Sequence, residues 1–76
     1  MDSLPLYKLI ESTILYDKDL VEIYNDDNEL LISKQRVEYL HSLEKYQLYR
    51  EITVSLIEPK YDNKSKKPYL RIYLNV

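Results

Sequence analysis

The sequence predicts an α+β domain: a four-stranded antiparallel sheet with two helices packed on one face, in the order α-β-β-α-β-β. Three observations predict it. Two runs, Glu51 to Glu58 and Tyr69 to Val76, alternate apolar and polar residues with the period of two that half-buried strands require. Two other segments, near residues 4–16 and 34–47, carry apolar residues at helical spacing. A chain of 76 residues makes one domain, residues 1–76, with no room for a second core.

The first helix is expected over residues 4–16, with Asp2 or Ser3 as N-cap and Pro5 in the first turn, where a missing amide hydrogen costs little. Leu6, Leu9, Ile10, Thr13 and Ile14 form its apolar stripe. Asp17-Lys18-Asp19 ends the pattern. Leu20 to Tyr24 then reads as a strand, with Val21 and Ile23 separated by Glu22. Asn25-Asp26-Asp27-Asn28 is the strongest turn signal in the chain, since Asn and Asp tolerate left-handed backbone. Glu29 to Ile32 forms the second arm of the hairpin.

The second helix is expected from Lys34 to Gln47, capped by Ser33. Val37, Leu40 and Leu43 lie on its inner face, flanked by Tyr39 and Tyr46. In the third strand Ile52, Val54 and Leu56 point inward, and in the fourth Leu70, Ile72, Leu74 and Val76 do. Pro59 to Pro68, rich in lysine, is expected to be a long hairpin loop between them. The fourth strand is placed either at a sheet edge, where it would pair across a dimer, or in the sheet centre.

Composition narrows the function. There is no cysteine and a single histidine, which removes disulfides and the usual zinc frameworks. Small chains without such staples commonly associate, so a homodimer is expected. Met1 to Leu6 lacks the features of a secretory leader, and no apolar run approaches a membrane span, so a soluble cytoplasmic protein with no membrane partner is expected. Nine tyrosines with no Phe or Trp suit half-buried faces and interfaces, although an AT-rich genome also favours them. The net charge of −2 conceals a split: residues 1–32 carry −6 and residues 33–76 carry +4. Such a division points to a directional interaction surface.

Catalytic chemistry finds little footing. Glu38 and His41 have the i, i+3 spacing of carboxylate-bridged metal sites, but the motif occurs once where such sites need it twice. His41 has no thiol or serine nucleophile in a recognisable setting. The absence of glycine excludes a Walker loop and a dinucleotide fingerprint. Asp26 and Asp27 sit in a turn, where water keeps both ionised. The chain is expected not to be an enzyme and to hold no cofactor and no metal.

Two charged sets remain. Asp17, Asp19, Glu22, Asp26, Asp27 and Glu29 surround the first hairpin and offer an acidic face to a basic groove on a protein partner. Alternatively these are the solvated ends of a hairpin. Lys60, Lys64, Lys66 and Lys67, with Tyr61 and Tyr69 beside them, offer cations for a nucleic-acid backbone and rings for its bases. The plainer account of that loop is a lysine-rich turn kept soluble by its charge.

Ile32-Ser33-Lys34-Gln35, followed by Val37, Glu38 and Leu40, resembles the start of the second helix in the small acidic anti-CRISPR proteins of archaeal rod-shaped viruses, inhibitors of type I-D interference. The likeness reaches upstream to Tyr7-Lys8 and the acidic helix-strand-turn-strand that leads into the motif, covering residues 5–42. It implies a dimeric α+β protein whose acidic surface docks on the large subunit of a CRISPR effector complex. The leading expectation is therefore a viral antagonist of host defence that binds a host protein complex through the acidic set. The alternative is a small homodimeric nucleic-acid-binding or regulatory protein that uses the lysine-rich segment 60–67.

Overall fold

The computed structural model describes residues 3–12 and 14–76. Seven elements follow one another: α1 (Leu6–Ile10), β1 (Leu20–Asn25), β2 (Leu30–Arg36), α2 (Val37–Leu40), α3 (Glu44–Tyr49), β3 (Val54–Asp62) and β4 (Lys67–Leu74). The fold is α+β with four strands, as expected, but the described residues form three short helices, and the sheet is mixed in the order β2-β1-β4-β3.

Two antiparallel hairpins, β1–β2 and β3–β4, lie side by side and join through their inner strands, β1 and β4, which run parallel with Val21 opposite Leu70 and Ile23 opposite Ile72. The expected all-antiparallel sheet fails because of the connection between the hairpins. The helical segment between β2 and β3 carries the chain back along the sheet, so β3 starts in the same direction as β2 and β4 must run with β1. The last strand is therefore central, and β2 and β3 form the edges.

Alternation along the inner strands sends Val21, Ile23, Ile72 and Leu74 to one side, where each is fully buried. They form a single hydrophobic cluster with Ile32 of β2 and with Leu6, Leu9, Ile10, Val37, Leu40 and Tyr46 of the helices. The radius of gyration, 11.7 Å, is that of one close-packed domain of this length, about 11 Å.

The first helix is much shorter than residues 4–16. It starts after Pro5, which occupies the N-cap position without a side-chain hydrogen bond, and stops at Ile10. The Ser12 hydroxyl and amide both donate to the Leu9 carbonyl, at 2.6 and 3.2 Å, which closes the last turn early. Ile14 is consequently exposed, not part of the stripe. Asp2 and Thr13 lie outside the described residues. Ahead of the helix, Leu4 to Leu6 pair with Ile52 to Val54 through Leu6 N–H to Ile52 O and Val54 N–H to Leu4 O. This covers the outer edge of the chain where β3 begins.

Ser33 is not a helix cap. The Ile32–Gln35 motif is extended in β2, and Arg36 holds the N-cap position of α2. Its first amides are met by backbone instead: Val37 N–H donates to Asp19 O and Glu38 N–H to Asp17 O, both at 2.9 Å. The expected long helix breaks at His41–Leu43, where Ser42 turns its hydroxyl onto Tyr39 O at 2.9 Å and Leu43 is extended. Tyr46 falls at the centre of the core, while Tyr39 stays exposed.

The expected long loop is also mostly strand. β3 continues to Asp62 and β4 starts at Lys67, so only residues 63–66 turn between them. Two prolines that read as strand breakers are tolerated because each lacks a neighbour on one side. Pro59 belongs to an edge strand, and Pro68 precedes Leu70, where pairing with β1 starts. A bulge at Ser55 also shifts the parity of β3. Leu56 pairs with Tyr73 and turns to the open side, and Ile57 pairs with Ile72 in the place expected for it.

Candidate functional site

The two charged sets meet different fates. Asp26, Asp27 and Glu29 occupy the β1–β2 turn, whereas Asp17 and Asp19 precede β1 at the opposite end of that strand. Six residues of strand separate the two groups by about 20 Å. Glu22, between them, faces the side of the sheet away from the helices and binds Arg71, its Oε1 accepting from Nε at 3.1 Å. The acidic set is thus not one contiguous face.

Several of these carboxylates also bind within the chain. Asp19 Oδ2 accepts from the Tyr16 amide at 2.8 Å, and Asp26 Oδ1 accepts from the Ser55 hydroxyl at 2.7 Å. Glu29 Oε1 accepts from Asn25 Nδ2 at 3.1 Å. The turn itself is braced by Asn25, whose Oδ1 accepts from the amides of Asp27 and Glu29, each at 2.9 Å. Asn28 takes the left-handed conformation that closes it, at φ 64°. The Asp26 amide donates to Val76 O at 3.2 Å, tying the turn to the end of the inner strands. Three carboxylates within residues 26–29 are therefore held on a fixed backbone.

The basic set is divided between strands and turn. Lys60 and Tyr69 are register partners on β3 and β4, and Lys64 and Lys66 project from the turn between them. Tyr61 pairs with Pro68, one residue out of phase, so its ring lies on the other side of the sheet and is exposed. Asp62 organises the turn: its Oδ1 accepts from the Lys64 amide at 2.9 Å, and its Oδ2 takes Lys34 Nζ at 3.2 Å. The Lys64 amide first and Lys34 second hold its carboxyl down at about 2.

Sequence reasoning missed what the inner strands display on the side away from the helices. Tyr24 and Tyr73 lie abreast with ring centroids 5.7 Å apart. The Arg71 guanidinium stands 4.6 Å from the Tyr24 ring while binding Glu22. Lys34 Nζ sits 3.8 Å over the ring of Tyr69. Tyr73 and Glu22 both favour the charged guanidinium and raise the Arg71 pKa. The signal in the sequence was the alternation Tyr69, Arg71, Tyr73, which places all three on one side of a strand. That alternation marks Arg71 and Tyr73 as neighbours of Tyr69 but does not bring Tyr24 and Lys34 to them, which only the order of the strands does.

A hollow of about 330 Å³ lies between β2 and α3, lined by Ile32, Ser33, Gln35, Leu43, Glu44 and Lys45. Among the described residues no group of three His, Cys, Asp or Glu side chains converges. His41 is exposed, its ring edge-on to Tyr46 at 5.4 Å. No helix among the described residues is long and apolar enough to cross a membrane. No known protein family, curated protein or solved structure matches the chain.

Proposed function

We propose that this chain is a non-enzymatic viral antagonist of host defence that binds a CRISPR effector protein complex in the host cytoplasm, and that its contact surface is the acidic turn between β1 and β2. The observation that carries the proposal is the bracing of that turn by Asn25, which presents Asp26, Asp27 and Glu29 without further ordering on binding. The resemblance sets Ile32–Gln35 at a helix start, whereas here that motif is extended in β2, so what it lends this reading is only the order of elements around it, helix, strand, turn, strand and helix. With Asp17 and Asp19 at the far end of β1 and Glu22 bound to Arg71, the contact narrows from the whole acidic set to the turn.

The protein acts as a homodimer in this proposal. On β3, Ile57, Pro59 and Tyr61 alternate onto one side and are all exposed. They form an apolar strip beside the core that a second copy would cover.

The test is capture of effector subunits from nuclease-treated lysate of an archaeal host, using the tagged chain and its Asp27→Lys variant. Asp27 is chosen because its carboxylate takes no part in bracing the turn, so the change leaves the fold intact. Recovery by the parent chain, weakened several-fold in the variant and less salt-sensitive there, is expected. Equal recovery by both would remove the acidic turn from the function.

A further inference from the structure

We propose a second binding surface, independent of the acidic turn: the side of the sheet away from the helices takes single-stranded nucleic acid, with Tyr24, Tyr69 and Tyr73 as the stacking residues. These three rings stand on the two central strands, where a bound chain would lie across the middle of the sheet. Each ring is half-buried, so it is fixed in place with part of its surface open. Tyr24 and Tyr73 are close enough to act as one platform. Ring stacking on bases is tolerant of sequence because every base has a π-face.

Charge selects the occupant. Lys34 and Arg71 stand over two of these rings, Lys60 flanks Tyr69, and Lys64, Lys66 and Lys67 continue the line onto the adjoining turn. Against these six cations stand the carboxylates of Glu22, Glu58 and Asp62 and, at the Tyr73 end, that of Asp26 on the Ser55 hydroxyl, which leaves +2. An acidic peptide would satisfy the cations but leave the rings without stacking partners. A single strand satisfies both, its phosphates following the lysines and its bases reaching the tyrosines. Arg71 has a planar head already lying against Tyr24, so it extends the platform. Duplex DNA keeps its bases stacked on one another and offers the rings nothing.

The lysine turn predicted from sequence supplies only the outer part of this surface. Tyr61, expected to belong to it, lies on the opposite side and is not included.

The experiment is fluorescence anisotropy with labelled oligo-dT and oligo-U, and a duplex of equal length, over a series of salt concentrations. Single strands are expected to bind at low salt. Their log affinity should fall with log salt at a slope of about −2 to −4, corresponding to three to five phosphates. The duplex should bind at least about tenfold more weakly. Tyr73→Leu should weaken single-strand binding about tenfold, and Tyr73→Phe, which keeps the ring, should restore it. Lys64→Ala with Lys67→Ala, both exposed, tests the track without touching the core and should reduce the slope by about 1 to 2. The proposal is overturned by no binding at low salt. It is equally overturned by equal affinity for duplex, or by single-strand binding that Tyr73→Leu leaves unchanged, since either would reduce the surface to charge alone.

Discussion

Tyr46 shows how a single polar atom limits this small core. Its ring is fully buried, and its hydroxyl is the one buried side-chain polar atom among the described residues that finds no hydrogen-bond partner. Burial pushes its pKa up and Glu11 adds to the effect, while Arg50 pulls the other way. An unsatisfied buried hydroxyl costs more than a ring hydrogen in its place. Tyr46→Phe should therefore stabilise the protein by about 1 kcal/mol, read as a higher midpoint of urea unfolding. A loss of stability would mean that the hydroxyl has a partner in solution, the neighbouring Arg50 guanidinium or a buried water. Asp62 makes the opposite case, a surface group bound tightly. Its folded pKa, about 2, lies below the ordinary 3.8, so its contribution is present above about pH 4 and is lost as pH falls toward 2. Asp62→Asn should flatten the dependence of unfolding on pH within that window and leave it unchanged above pH 5, as thermal melts across the range would reveal. The alternation rule located Val21, Ile23, Ile72 and Leu74 correctly. It could not rank Tyr46 above Tyr39, because both sit near the apolar stripe and only the helix break at His41–Leu43 decides which one turns inward.

At the scale of elements, turns were legible where side chains define them and obscure where backbone pairing does. Asn25–Asn28 read as a turn because Asn and Asp brace their own backbone, and Asn28 does take positive φ. The β3–β4 turn was blurred into a ten-residue loop because Pro59 and Pro68 look like breakers until their strand sides are known to be free. Helix lengths were overestimated for a related reason. Amphipathic spacing continues past Ile10 and across His41, but Ser12 and Ser42 close those turns with their hydroxyls. The charged sets were legible as composition only, since neither the 20 Å strand between Asp19 and Asp26 nor the pairing of Glu22 with Arg71 can be read without strand order. One consequence is measurable in the second turn. Lys66 takes φ 58°, where a Cβ is strained and glycine is not. Lys66→Gly should raise stability by about 0.5–1 kcal/mol in denaturant unfolding, even after the extra freedom given to the unfolded chain. No gain would mean that the extra freedom of the unfolded chain cancels the strain relieved at this position.

The whole molecule is small for the work its core must do. Eleven buried apolar residues among those described, with no disulfide, leave little margin over the conformational entropy of 76 residues. Association is the way such a domain gains stability, and the geometry distinguishes two routes. Strand-to-strand pairing along β3 is disfavoured, because Pro59 removes a donor in the middle of that edge and Leu4–Leu6 already pairs beside its start. Packing of the Ile57–Pro59–Tyr61 strip against its copy has no such obstacle and hides apolar surface beside the core. If the homodimer forms in this way, folding and assembly are linked, and the melting temperature rises with protein concentration. Raising the concentration about a hundredfold should lift it by several degrees in the parent chain. In Ile57→Lys, which places a charge on the strip but outside the buried cluster, the melt should be independent of concentration, and sedimentation should give the mass of a 9.2 kDa monomer. A parent chain that sediments as a monomer and melts at one temperature across the range would show that these eleven side chains suffice alone, and the apolar strip would then be left for the host partner.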